Sequence, residues 1–148
     1  MKESVALPTR LSIDSGVILA YFLGERTGSI VRDQIFQPTG RSIYHNRLCV
    51  AELFYILCRR RGIRVARTFT RSFLSAQYSS LVDSDAVDMT SGEYKCSRSV
   101  SLADCYVIAG AKHSQAAALF ARHETELDEE MRKDPFDVPV IFLEDIKA

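Results

Sequence analysis

The charged residues best placed to do chemistry in this chain are acids embedded in apolar sequence. Residues 100–112 read VSLADCYVIAGAK, and Asp104 is the only charge between Leu102 and Ala111. Ser101 stands three residues before it, the spacing of a helix N-cap whose hydroxyl accepts from a first-turn N–H. An acid in that turn also faces the positive end of the helix dipole. Glu52 is more isolated still, because every other residue between Leu48 and Cys58 is apolar. Burying its charge costs on the order of several kcal/mol unless a cation or hydrogen-bond donors meet it. Asp14 closes the short run LSI and precedes VILAYFL, a junction of strand and helix. Each acid has a structural explanation alone: Asp14 and Asp104 as caps, Glu52 in a salt bridge to an arginine. Together they suggest something else. Two carboxylates about 4 Å apart repel by on the order of 4 kcal/mol at an effective dielectric near 20. A divalent cation removes that cost. Ligation by oxygen alone suits Mg²⁺ or Mn²⁺, which activate water and stabilise both oxygens of an in-line phosphodiester displacement.

For the acids to meet, the elements between them must alternate. Residues 10–14 read as a strand and residues 16–22 as the start of a helix. Residues 24–40 read as a polar helix or turn that closes in the loop FQPTG. His45 and Asn46 precede a strong helix over residues 47–61, ended by Gly62. A second helix is expected over residues 65–78, a short strand at Leu81 and Val82, and a weak helix from Asp83 or Ser84 to Lys95. The helix carrying Asp104 spans residues 101–113. Residues 116–120 have the length of a buried strand. The acidic turn RHETE leads into a helix that stops before Asp134 and Pro135. Residues 140–143 give a last strand and residues 144–148 a tail. Alternation of this kind predicts an α/β fold with a mostly parallel central sheet of four to five strands, flanked by helices in one domain over residues 1–148. Right-handed crossovers put the strand C-terminal ends, and with them Asp14 and the RHETE turn, on one edge.

Composition narrows the function without naming it. With 148 residues, 47% hydrophobic and 26% charged, the chain is long enough for one domain with a real core. No apolar run approaches the ~20 residues of a membrane span, and MKESVALPTR lacks the apolar stretch of a secretory signal. A cytoplasmic protein with no membrane partner is expected. The four cysteines form no C-x-x-C pair, which argues for buried free thiols over a zinc or redox site. The formal net charge is +0, yet the charge is segregated. Residues 59–71 hold six arginines and no acid, and residues 124–137 hold seven acids and two bases. Arg64 and Arg67 share a helix face that Arg59 and Arg60 extend. These four are candidate contacts to RNA phosphates, with a solvated basic surface as the alternative.

The segments LSIDSGVILAYFLGE, VAELFYILCRRRG, SLADCYVIAGAK and LFARHETEL, in that order, resemble the PIN-domain ribonucleases, most nearly the VapC-type toxins of prokaryotic toxin–antitoxin pairs. The resemblance runs from about Leu11 to Asp145. It implies a PIN-like three-layer fold and a homodimer. It further implies a Mg²⁺- or Mn²⁺-dependent endoribonuclease acting on RNA, with a small cognate antitoxin as partner. Asp14, Glu52 and Asp104 correspond to three of the family's metal-binding acids. The fourth commonly lies in a T-x-D pattern after the fourth strand. One register places His123 there and another, favoured by the Glu126–Leu127 pair, places Glu124; the Thr is absent in both. Asp14, Glu52, Asp104 and Glu124 are therefore the expected catalytic set, with His123 and Glu126 in the fourth-acid region. A stand-alone RNA-processing nuclease and a non-catalytic PIN-like module binding RNA or protein are the competing functions. A receiver-like phosphoacceptor domain fits poorly, since Ser15 and Gly16 follow Asp14 where it needs a second acid.

Overall fold

Strand β1, Arg10–Ile13, reads RLSI, and Leu11, Ser12 and Ile13 are all buried. A strand covered on both faces belongs inside a sheet wrapped by helices. The computed structural model describes residues 5–37 and 40–147 and places β1 at the centre of a five-stranded, all-parallel sheet. The other strands are β2 (Ser42–His45), β3 (Ser80–Leu81), β4 (Ala117–Phe120) and β5 (Val140–Phe142). Their order is β3-β2-β1-β4-β5. Leu11 pairs with Ile43 of β2 on one side and with Ala117 of β4 on the other. The direction of winding therefore reverses between β1 and β4, the place where open α/β sheets leave a crevice beyond their strand ends.

Helices α1 (Ser15–Phe22), α3 (Arg47–Arg61) and α4 (Ile63–Ala76) cover one face. With them goes α2 (Gly28–Ile30), which runs directly into a π-helical stretch, Val31–Phe36. Helices α5 (Asp85–Ser97), α6 (Leu102–Ser114) and α7 (Thr125–Lys133) lie on the other side. The alternation along β4 shows the two layers. Ala117 and Leu119 join the core formed with α1, α3 and α4, whereas Ala118 and Phe120 pack with α6 and α7. Helix α6 is buried on most of its circumference and lies close against β1. Ser12 Oγ donates to the Val107 carbonyl at 2.8 Å, and a Cβ on Gly110 would come within 3.0 Å of that same hydroxyl. Small residues set this spacing, and so place the start of α6 beside the end of β1.

The expected elements are present, with informative shifts. Helix α4 begins at Ile63 because Gly62 serves both helices. Its N–H donates to the Cys58 carbonyl, its own carbonyl accepts from Ala66, and its φ of 88° is one that side chains disfavour. Strand β2 has no counterpart among the expected elements, which name only His45 and Asn46 ahead of α3. The segment expected as a tail includes a 3₁₀ turn, Leu143–Asp145, docked on the protein. Pro38 and Thr39 of the expected FQPTG loop lie outside the described residues. All four cysteines are free, and Cys96 is exposed where a buried thiol was expected. Among the described residues no helix is long and apolar enough to cross a membrane.

Candidate functional site

Asp14 sits where β1 gives way to α1. Its N–H donates to the Leu119 carbonyl at 3.0 Å, so the β1–β4 ladder itself holds the backbone of this residue. Asp14 occupies the N-cap position of α1. Ser15 Oγ lies 3.4 Å from Asp14 Oδ1 and 3.3 Å from Glu52 Oε1. A hydroxyl has one proton to donate, so it serves one of these two acids at a time. Glu52 reaches this point from the middle of α3, whose start is fixed by Asn46 Oδ1 accepting from the Cys49 N–H at 2.8 Å. Asp104 comes from the first turn of α6, with Ser101 Oγ accepting from its N–H at 3.2 Å. Glu124 is the N-cap residue of α7, two residues beyond Arg122, and it lines a cleft of about 120 Å³ with Asp14 and Gly16.

The electrostatics show that these acids share one field. Burial first, and then the charges of Glu52 and Glu124, push Asp14 up to about 6, although the Gly16 N–H draws it partly back. Burial, Asp14 and Glu124 push Asp104 up to about 7, with a smaller push from Glu126. Glu52 is raised by burial, lowered by the Ser15 hydroxyl, and raised again by Asp104 and Glu124. Asp14, Glu52 and Asp104, from three separate elements, are thus each raised in part by neighbouring acids, Glu124 among them. Among the described residues, no three His, Cys, Asp or Glu side chains already converge on a single ion position. The donor set is nonetheless all hard oxygen and short of positive charge, which fits a divalent cation better than a zinc or redox centre. Cys49, one turn before Glu52, is buried, and its thiol is raised well above its usual value by burial and by Asp14 and Glu52. It is no thiolate nucleophile.

The other sequence candidates are placed differently. His123 turns away from the acids and stacks on Phe142, with ring centroids 3.7 Å apart. Its Nδ1 is 2.9 Å from Asp128 and its Nε2 2.7 Å from Asp145, and its backbone N–H donates to Glu144 Oε1 at 2.6 Å. Burial lowers its pKa, but the bonds to Asp128 and Asp145 outweigh this and hold it above the ordinary value. His123 therefore clasps the 3₁₀ turn to the β4–α7 turn. Glu126 is exposed on α7. Of the four arginines singled out, only Arg60 lines the cleft; Arg59 lies over the Tyr55 ring, and Arg64 and Arg67 are exposed on α4. Two residues not foreseen from the sequence, Glu25 and Arg122, also line it.

An all-parallel α/β sheet with mutually repelling acids at the crevice between β1 and β4 is the class that fold and site define. The PIN domain family matches residues 11–128, and the chain belongs to that family. A chain in the crystal structure of VapBC2 from Rickettsia felis bound to a DNA fragment from their promoter has the same fold. The TM-score is 0.65 at 11% identity, with 90% of this chain and 97% of that chain covered. No curated protein matches the sequence.

Proposed function

We propose that this PIN-domain protein is an endoribonuclease that hydrolyses RNA phosphodiester bonds with the help of Mg²⁺ or Mn²⁺. The observation that carries the proposal is the mutual elevation of Asp14, Glu52 and Asp104, with Glu124 contributing to all three. Acids kept together at such a cost are poised for a cation that the fold alone does not supply. Asp14, Asp104 and Glu52 would hold the ion, and Glu124 supplies the fourth carboxylate in place of His123. When bound, such an ion activates water and offsets charge on the phosphate. The side chains do the rest. Ser15 orients Asp14 or Glu52 by donating its hydroxyl proton to one of them. The likeness to the VapBC2 chain supports a role as the toxin of a toxin–antitoxin pair, with a small antitoxin as partner. A homodimer in the cytoplasm belongs to the same reading.

The test is direct. Purified protein incubated with labelled single-stranded and structured RNAs is expected to cut with Mg²⁺ or Mn²⁺ and to stop in EDTA. Cleavage indifferent to EDTA would overturn the proposal. RNA binding without any cleavage would assign the chain to the non-catalytic class instead.

Gly16 offers a second check that leaves every acid in place. A Cβ there would lie 2.9 Å from Asp14 Oδ2 and 2.9 Å from the Ala121 Cβ, closer than real contacts allow. Gly16→Ala is expected to displace the Asp14 carboxylate and weaken Mn²⁺ binding by about tenfold, the scale of losing a supporting contact around a metal ligand. Isothermal titration with Mn²⁺ reads this, with circular dichroism confirming the fold. Unchanged affinity would remove Asp14 from the ligand set.

A further inference from the structure

Glu25 stands in the turn after α1, and the turn is built to hold it. Gly24 before it has φ 64°, the Glu25 N–H donates to the Ala20 carbonyl at 3.0 Å, and the Glu25 carbonyl accepts from the Gly28 N–H at 2.8 Å. Gly28 is pressed so close that a Cβ would fall 2.4 Å from the Ala20 oxygen. From this fixed position one carboxylate faces two guanidinium groups brought from distant elements. Arg122 Nη2, in the turn after β4, lies 3.0 Å from Glu25 Oε2. Arg60 Nη1, in the last turn of α3, lies 3.6 Å from Oε1. Stability does not account for the grouping, because ion pairs this exposed contribute little. The side chains of Arg60 and Arg122 are 53% and 66% exposed, so most of their N–H donors face solvent. Two positive charges share one negative, and the excess faces the cleft that Asp14 and Glu124 also line.

Neither arginine pairs with Asp14, Glu52, Asp104 or Glu124; both turn to Glu25. Glu25 thereby gathers the two cations into one patch of the cleft wall and leaves Asp14 and Glu124 unpaired with them. The cleft adjoins a second depression of about 250 Å³ that also includes Glu25, Ala121 and Arg122 and extends to Arg26, Thr27 and Glu144. The ion pair of Glu25 and Arg122 stands where the two depressions adjoin. A strand with its reacting phosphate at the acids would carry a neighbouring phosphate along this wall.

We infer that Arg60 and Arg122 form a subsite for an RNA backbone phosphate beside the carboxylate cleft, and that Glu25 is the positioning residue that aims them. This rests on the nuclease reading for the identity of the strand, but not for its test. The planar guanidinium fork matches phosphate oxygens, and two such groups on one phosphate give both charge and orientation. The subsite is indifferent to base identity, as phosphate contacts are.

The experiment is fluorescence anisotropy with a labelled single-stranded oligoribonucleotide in EDTA, where nothing is cut, over a series of KCl concentrations. Arg60→Ala with Arg122→Ala is expected to raise Kd about tenfold or more at low salt. It should also flatten the salt dependence by about 0.7 in log–log slope, the value for one phosphate neutralised on a single strand. Arg60→Lys with Arg122→Lys keeps the charge and loses the fork. Its Kd is expected between the two, and it serves if the alanine pair melts early. Glu25→Gln gives the decisive sign. It makes the wall more positive, so simple electrostatics would tighten RNA binding, whereas loss of aim weakens it, by about threefold. Tighter binding by Glu25→Gln overturns the positioning role, and an unchanged Kd and slope in both arginine pairs overturns the subsite. Wild-type protein that binds no RNA, or that releases RNA to polyglutamate with the arginines as determinants of polyglutamate binding alone, overturns it too. The nuclease reading fails separately. RNA held through these arginines but uncut with Mg²⁺ leaves the subsite standing, and RNA cut by the arginine variants at wild-type KM leaves only the nuclease.

Discussion

Asp104→Asn is expected to abolish metal-dependent RNA cleavage and, in EDTA, to make the protein more stable. Both effects follow from one carboxylate. Asp104 lies in the first turn of α6, where burial and the charges of Asp14 and Glu124 push it up to about 7. An amide keeps the shape and leaves the backbone N–H bonded to Ser101 Oγ. It removes the charge that the neighbouring acids oppose. Each pKa unit corresponds to about 1.4 kcal/mol, and partial exposure discounts the sum, so a gain on the order of 1–3 kcal/mol is expected in urea denaturation. The same change removes a hard oxygen donor and a negative charge from the proposed cation site, and kcat should fall by roughly 10²–10³-fold or more. A variant that loses both activity and stability would mean that Asp104 is a structural cap and nothing else. Retained activity would remove it from the chemistry.

The stability of the metal-free protein should also fall as the pH rises from about 4 to about 7. Asp14 and Asp104 have ordinary values of 3.8, and in the folded state they stand at about 6 and about 7, while Glu52 is raised from 4.5. Between the two limits the folded protein holds protons that the unfolded chain has released. The slope of stability with pH is then negative, at most about 1.4 kcal/mol per unit for each group. The stabilisation is complete below the unfolded values and is lost as the pH passes through the folded ones. His45 works the opposite way. Burial lowers it from 6.5 to about 4, so its contribution is present above 6.5 and lost as the pH falls towards 4. The informative quantity is therefore the difference between wild type and Asp104→Asn, in which His45 cancels. That difference should widen with pH in EDTA and shrink when Mg²⁺ is added, because a bound cation replaces the protons. A difference independent of pH would show that Asp104 feels no such field.

The sequence already disclosed much of this arrangement, for reasons that can be traced. Helix α3 was legible at both ends because Asn46 caps it and Gly62 stops it, and Glu52 stood out against its apolar neighbours. Helix α6 was legible from Ser101, Asp104 and the uncharged run that follows. Strand β2 was not, because four residues carry too little periodicity. Its alternation, with Ile43 and His45 buried, depends on partners in β1 and β3. The fourth acid was ambiguous for a similar reason. His123 and Glu124 are adjacent in sequence, and only the folded turn sends one towards Asp128 and Asp145 and the other towards the cleft. Glu25 was invisible to local reasoning. It looks like one more charge in a polar turn, and its meaning comes from Arg122, a residue 97 positions away.

The pairing of β1 with β4 also sets when the crevice comes into being. During synthesis Asp14 emerges early, and most of the domain must follow before Ala117–Phe120 is available to seat beside Leu11–Ile13. Contacts of such long range close late, after the local helices have formed. Until then the acids travel on separate segments, each free to stay hydrated and ionised at its ordinary pKa. The repulsion is paid only in the step that unites the two halves of the sheet. A nascent chain built in this order has no crevice until β4 has been made.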